Sequence, residues 1–160
     1  MKRPLTSIAF QGERGSFSEI AAKKFFRSSA QFSSLQSFRE VFEHVARKKV
    51  QFGVVPIENS VFGSIHQNYD LLFDHKLLIV GEITLRIKLH LAALPGVVLN
   101  EIRSIYSQPQ ALGQCEDFLR TLKNVNIVSF HDTAGSARMV RETGRRDFGA
   151  IASAEAAKRH

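Results

Sequence analysis

The chain has 160 residues, 44% of them hydrophobic and 23% charged. That range suits a globular protein with its own core and excludes collagen-like, coiled-coil and wholly disordered classes. Subtracting 15 acidic from 22 basic residues leaves a net charge of +7, but the cations are scattered. Arg47-Lys48-Lys49 and Arg145-Arg146 fall where helices end, a favourable place for positive charge, so the balance predicts solvated helix ends and a field that attracts small anions. A dense nucleic-acid surface is not expected.

Lys76, Glu82, Arg86, Lys88 and His90 interrupt the longest apolar stretch, which excludes a span of roughly 20 apolar residues across a bilayer. Met1-Lys2-Arg3-Pro4 leads to Gln11, Glu13 and Arg14 with no long apolar region after it, so a cytoplasmic location is expected. Cys115 stands alone, which rules out an intrachain disulfide and a cysteine zinc site.

In chain order, Ser7 to Phe10 reads as a strand, followed by a Gly/Ser turn and a helix carrying Ile20, Ala21 and Phe25. Ser16-x-x-Glu19 and Ser37-x-x-Glu40 both have capping-box spacing. The second of these opens a helix in which Phe38, Val41, Phe42, Val45 and Ala46 share one face, opposite Arg39, Glu43, Arg47 and Lys48. Phe52-Gly53-Val54-Val55 is a short continuous apolar strand, and Pro56-Ile57-Glu58-Asn59-Ser60 leaves it as a polar turn. An apolar segment follows at Tyr69, Leu71 and Leu72.

Leu85, Ile87, Leu89 and Leu91 alternate with Arg86, Lys88 and His90. This period of two predicts a long half-buried strand crossing between two lobes, residues 1–79 and 80–160. Ile102 to Tyr106, Val125 to Phe130 and Phe148 to Ala152 supply three further strands, separated by helices starting near Gln110 and Thr133. Cys115 shares an apolar helix face with Ala111, Leu112, Phe118, Leu119 and Leu122, the place of a small core residue rather than of a nucleophile. Ser153 to His160 reads as an N-cap and a helix that the chain leaves unfinished. Strands alternating with helices predict a mainly parallel sheet in each lobe, with ligands beyond the carboxyl ends of the strands.

Four turns after strands are built of small or amide-bearing residues: 12–18, 58–64, 107–114 and 132–136. Each opens a helix, whose free N–H groups favour anions. Capping, which Ser, Thr, Asp and Asn perform in any α/β protein, is the favoured reading of any single turn, and Asn59 and Gln110 resist it somewhat better. Gly12-x-x-Gly15 lacks the rest of a phosphate loop or dinucleotide fingerprint, and no Gly-x-Ser-x-Gly elbow occurs. The six histidines show no pair three or four apart on one helix, so a metal site is not expected. The residues by themselves lead to an anion-binding cleft.

The successive stretches Gly12-Glu13-Arg14-Gly15-Ser16-Phe17-Ser18-Glu19, Pro56-Ile57-Glu58-Asn59-Ser60 with Gly63-Ser64-Ile65, Ser107-Gln108-Pro109-Gln110-Ala111-Leu112 with Gln114-Cys115, Asp132-Thr133-Ala134 and Ala150-Ile151-Ala152-Ser153 resemble, in order, the motifs of prephenate dehydratases. Arogenate dehydratases carry the same motifs, and 63–72 with Leu94-Pro95-Gly96 is as similar to them. The resemblance implies an α/β fold of two lobes, like a type II periplasmic binding protein, that closes on prephenate and releases phenylpyruvate, water and carbon dioxide. It implies no cofactor; together with the charge, hydropathy and histidine spacing above, no metal, nucleic-acid or membrane partner is expected, and the chain is expected to form a homo-oligomer, a dimer.

By this resemblance Asn59, Ser60 and Gln114 would be catalytic, and Ser16, Phe17, Glu58, Ser107, Gln110 and Thr133 would bind substrate. Gln108 stands where the family usually has His, replacing an imidazole by an amide that cannot become cationic. The family pattern continues into a return strand bearing Thr-Arg-Phe, whose Thr is regarded as the proton donor, and then into a phenylalanine-binding regulatory domain. Neither lies within these residues, so the 160-residue chain is expected to be a truncated catalytic domain with little activity alone. The rival expectations are an arogenate dehydratase and a two-lobed carboxylate-binding module without turnover.

Overall fold

A computed structural model describes residues 5–26 and 30–160; the basic start Met1 to Pro4 lies outside them. The chain divides into two units. The first comprises residues up to 13 with Phe17–Arg86, and the second Arg14–Ser16 with Ile87–His160.

The first unit is built on a three-stranded parallel sheet in the order β2-β1-β3, formed by β1 (Ser7–Gln11), β2 (Gln31–Leu35) and β3 (Phe52–Val54). Ile8, Ala9 and Phe10 of the central strand are fully buried, as a strand covered on both faces requires. β2 carries no apolar run that marks it in the sequence; its pairing with β1 from Ser7↔Gln31 to Gln11↔Leu35 makes it a strand. Helix α1 (Phe17–Phe26) follows β1, and α2 (Phe38–Ala46) follows β2. The α2 capping box forms as its spacing predicts: Glu40 N donates to Ser37 Oγ (3.2 Å) and Ser37 N donates to Glu40 Oε2 (3.1 Å). Val41 and Phe42 are buried, and a Cβ on Gly53 would lie 2.7 Å from Val41 Cγ1. The glycine in β3 therefore lets α2 sit directly on the sheet.

The buried face of α1 is small and polar. Its buried residues are Glu19 and Ala22, whereas Phe25 is 40% exposed. Glu19 Oε1 lies 3.1 Å from Lys23 Nζ. After β3, the two-residue strands β4 (Glu58–Asn59) and β5 (Gly63–Ser64) pair antiparallel and lead into α3 (His66–His75). Leu71 and Asn68 are buried on α3, while Tyr69 is exposed.

The second unit holds a four-stranded sheet in the order β6-β9-β7-β8: β6 (His90–Ala93), β7 (Ser104–Ser107), β8 (Asn126–Ser129) and β9 (Phe148–Ala152). β7 pairs parallel with β8 and β9, whereas β6 runs antiparallel to β9. The long strand predicted from Leu85 to Leu91 is a strand only from His90 onward; residues 77–89 have no regular secondary structure. Alternation favours extended backbone, but a ladder needs a neighbour, and β9 offers partners only to His90–Ala93.

Helices α4 (Pro109–Gln114), α5 (Glu116–Arg120), α6 (Thr133–Thr143) and α7 (Ala154–Arg159) complete the unit. The single helix expected around Cys115 is broken at that residue, whose φ of −104° and ψ of 10° leave helical geometry. Ala111, Leu112 and Leu119 still enter one core with Ile102, Ile105 and Ile151. Phe118, expected on the same face, is exposed. Cys115 packs half-buried against this core, and burial raises its thiol pKa. A second core joins Ala134, Ala137 and Val140 of α6 to Ala150, Ala152 and Ala156.

Candidate functional site

In the first unit, Glu58, Asn59 and Ser60 occupy one turn. β4 and β5 pair through Glu58↔Ser64 and Asn59↔Gly63, with Gly63 at φ 77°, a conformation that favours glycine. Asn59 Oδ1 accepts hydrogen bonds from Val61 N (2.9 Å) and Phe62 N (3.2 Å). The side chain thus shapes its own loop, in the manner that makes Asn common in turns. The oxygen of Asn59 is therefore engaged in organising the turn. Asn59 is half-buried, whereas Glu58 and Ser60 are exposed. Phe17, half-buried, opens α1 in the same unit.

In the second unit, Ser107 ends β7 and is fully buried, its hydroxyl donating to Ile151 O at 2.7 Å. That bond ties β7 to β9, so Ser107 sits in the sheet and not on an open surface. Gln108 takes the N-cap position of α4 in extended conformation without a side-chain cap bond, and Pro109 starts the helix, where a missing N–H costs nothing. Gln110 is exposed and Gln114 half-buried. Gln114 is the last residue of α4, and the spacing of four from Gln110 puts both amides on one helical face.

Thr133 and Ser16 are also buried. Thr133 follows the α6 N-cap Asp132, whose Oδ1 accepts from Gly135 N at 2.6 Å. A Cβ on Gly135 would lie 2.6 Å from His131 Nε2, so the glycine permits the tight approach of this turn. Ser16 belongs to the segment Arg14–Ser16, which α7 holds. Ser153 Oγ donates to Gly15 O (2.6 Å) and accepts from Ala156 N (2.9 Å). Gly15 has φ 90°, and a Cβ there would come within 2.7 Å of Ala156 Cα.

The hydroxyls of the two units therefore differ. Ser60 is open to solvent, whereas Ser107 is engaged with a main-chain carbonyl inside the sheet. Sequence patterns mark Ser153 as a helix cap and the end of a motif and give no sign of its bond to Gly15. They also pass over Asn68, which is fully buried on α3 and whose Nδ2 donates to Pro56 O at 2.7 Å. The available signal was an asparagine in a helical first turn, a residue type that competes with the backbone there.

The chemistry offered is that of neutral donors: an amide and a hydroxyl on the Glu58–Ser60 turn, and two amides on α4. Such groups bind carboxylates and hydroxyls without having to lose or gain a proton.

The family described as prephenate dehydratase matches residues 8–160. An Arabidopsis thaliana protein named arogenate dehydratase/prephenate dehydratase 2, chloroplastic, is 44% identical over 94% of this chain and 39% of its own length. A solved structure of prephenate dehydratase from Arthrobacter aurescens in complex with L-Phe superposes with a TM-score of 0.87 at 28% identity, covering 97% of this chain and 52% of that one. A structure described as a novel type of quorum quenching acylase gives 0.84 at 34% identity over 95% of this chain and 55% of its own. The chain spans about two fifths of the length of the curated relatives it matches. With motifs, fold and a match over nearly all its length in agreement, the chain belongs to the prephenate dehydratase family.

Proposed function

We propose that this protein catalyses the decarboxylative dehydration of prephenate to phenylpyruvate, with Asn59, Ser60 and Gln114 acting on the reacting groups and Ser16, Phe17, Glu58, Ser107, Gln110 and Thr133 in substrate binding or its support. The observation that supports this reading is the Glu58–Ser60 turn, where the Asn59 oxygen accepts from Val61 N and Phe62 N and fixes the backbone; in the proposal the amide nitrogen meets the substrate. In the reaction the ring carboxylate leaves as carbon dioxide, its bonding electrons enter the ring, and the ring C–O bond breaks. The departing hydroxide takes one proton to become water. Aromatisation supplies the driving force, so the protein's task is to hold a dianion and deliver that proton. The reaction as proposed uses no cofactor.

The test is conversion of prephenate by the protein expressed from its complete gene. Replacing Asn59 or Gln114 by Ala is expected to lower kcat/KM by about ten- to a hundredfold, the effect of one lost hydrogen bond to a charged group. Loss of activity only in proportion to lost thermal stability would overturn the assignment. Turnover of an amide substrate with none of prephenate would instead align the protein with its acylase-described neighbour.

A second reading is favoured by Glu58. Arogenate carries an ammonium where prephenate carries a keto group, and Glu58 is an exposed carboxylate beside Asn59. Several relatives are named arogenate dehydratases. A higher specificity constant for arogenate, lost in Glu58→Gln, would establish that reading. Among the described residues no helix is long and apolar enough to cross a membrane. We infer a cytoplasmic dimer, to be checked by fractionation and sedimentation.

A further inference from the structure

Two residues at the start of α3 hold the arm of chain that enters the Asn59 turn. Ile65 N donates to Ile57 O at 2.9 Å, and Asn68 Nδ2 donates to Pro56 O at 2.7 Å. Asn68 N in turn donates to Ile65 O at 2.9 Å, so the two holding residues are themselves joined. Pro56 lies three residues before Asn59, and only Ile57 and Glu58 separate them. The other arm is fixed by the β4–β5 pairing, and the tip by Asn59 Oδ1.

Asn68 is fully buried, and its Oδ1 has no hydrogen-bond partner among the described residues. A buried oxygen without a donor opposes folding, so one donated bond and one orphaned acceptor leave little net gain in stability. What the side chain does accomplish is directional: it sets where the Pro56 carbonyl points and hence how the next three residues leave β3.

We propose that Asn68 is a positioning residue that, through the Pro56 carbonyl, fixes the direction in which Asn59 presents its amide nitrogen. The proposal rests on the reading of Asn59 as a catalytic residue. Asn68, wholly enclosed, touches no substrate and acts only through the turn.

Two measurements test it. In the complete gene product, Asn68→Ala and Asn68→Ser are expected to lower kcat about tenfold with KM changed by less than about threefold. The double variant Asn68→Ala/Asn59→Ala is expected to be no slower than Asn59→Ala alone, because residues acting as a unit are not additive. Losses that multiply, or that follow the melting temperature across the variants, would overturn the proposal. In the same full-length protein, amide hydrogen exchange in Asn68→Ser is expected to speed up at Val61 and Phe62 and stay unchanged at Ile8 to Phe10. Uniform acceleration, or failure of both single variants to fold, would make Asn68 a residue of general stability and overturn the proposal. If Asn59→Ala turns over at the parental rate, the catalytic reading of Asn59 falls, while the exchange result still decides whether Asn68 holds the turn.

Discussion

Asn59, Ser107 and Gly15 show three ways in which one motif residue serves the fold and the chemistry unequally. Asn59 holds its own turn through its oxygen, and the proposed function gives its amide nitrogen to the substrate. Ser107 holds the sheet: replacing it by Ala would leave the buried Ile151 carbonyl one donor short, a cost of about 1 to 3 kcal/mol. Ser107→Ala is therefore expected to lower the denaturant midpoint while leaving KM for prephenate little changed; a large rise in KM with stability intact would return Ser107 to substrate contact. At Gly15 two obstacles to a side chain act together, the positive φ and the Ala156 backbone, which a Cβ would approach to 2.7 Å. Gly15→Ala should cost about 2 kcal/mol or more, read by the same unfolding curves, and a neutral result would mean that α7 yields. His160 supplies a pH dependence. Burial lowers its imidazole pKa, with Arg159, Arg138 and Arg141 adding to the shift and a bond to the Arg14 backbone opposing it. As pH falls the unfolded chain takes this proton first, so the contribution is complete above the unfolded pKa and is lost as pH drops through the lower folded value. Titration of the imidazole by NMR at or above the ordinary histidine pKa would contradict this.

At the scale of elements, local signals succeeded where one stretch carries its whole instruction. The α2 helix has cap, reciprocal glutamate and apolar face within ten residues from Ser37, and forms as its spacing predicts. Ser37→Ala is expected to destabilise the chain by about 1 kcal/mol, measured by chemical denaturation, and Glu40→Gln by less because the amide can still accept. β2 shows the opposite case. Its strand character comes from β1 alongside it, with Ala9↔Ser33 at the centre of a five-residue register, and no periodicity of its own announces that partner. The α4–α5 break at Cys115 likewise escapes a reading of apolar spacing, since both helices still supply one core. It matters for the candidate site because it makes Gln114 the end of a short helix.

For the whole molecule, the segment 77–89 connects the two units without regular secondary structure, and Leu78, Ile79 and Val80 within it are 86%, 70% and 69% exposed. Limited digestion with a protease that prefers apolar residues is expected to cut there first, before β1 or β9, because cleavage needs backbone free of a ladder; first cuts inside either sheet would refute this. The amino-acid sequence by itself determined the alternation of strands and helices, the capped starts of α2, α6 and α7, and the polar turns that carry the motif residues, because each depends on neighbours within a few positions. Only the tertiary structure decided that 85–89 is not a strand, that β2 is one, that Ser107 faces the sheet, and that Asn68 grips Pro56. Each of those depends on a partner distant in sequence: a ladder needs a second strand, and a buried hydroxyl or amide takes its role from the carbonyl that the fold brings within about 3 Å.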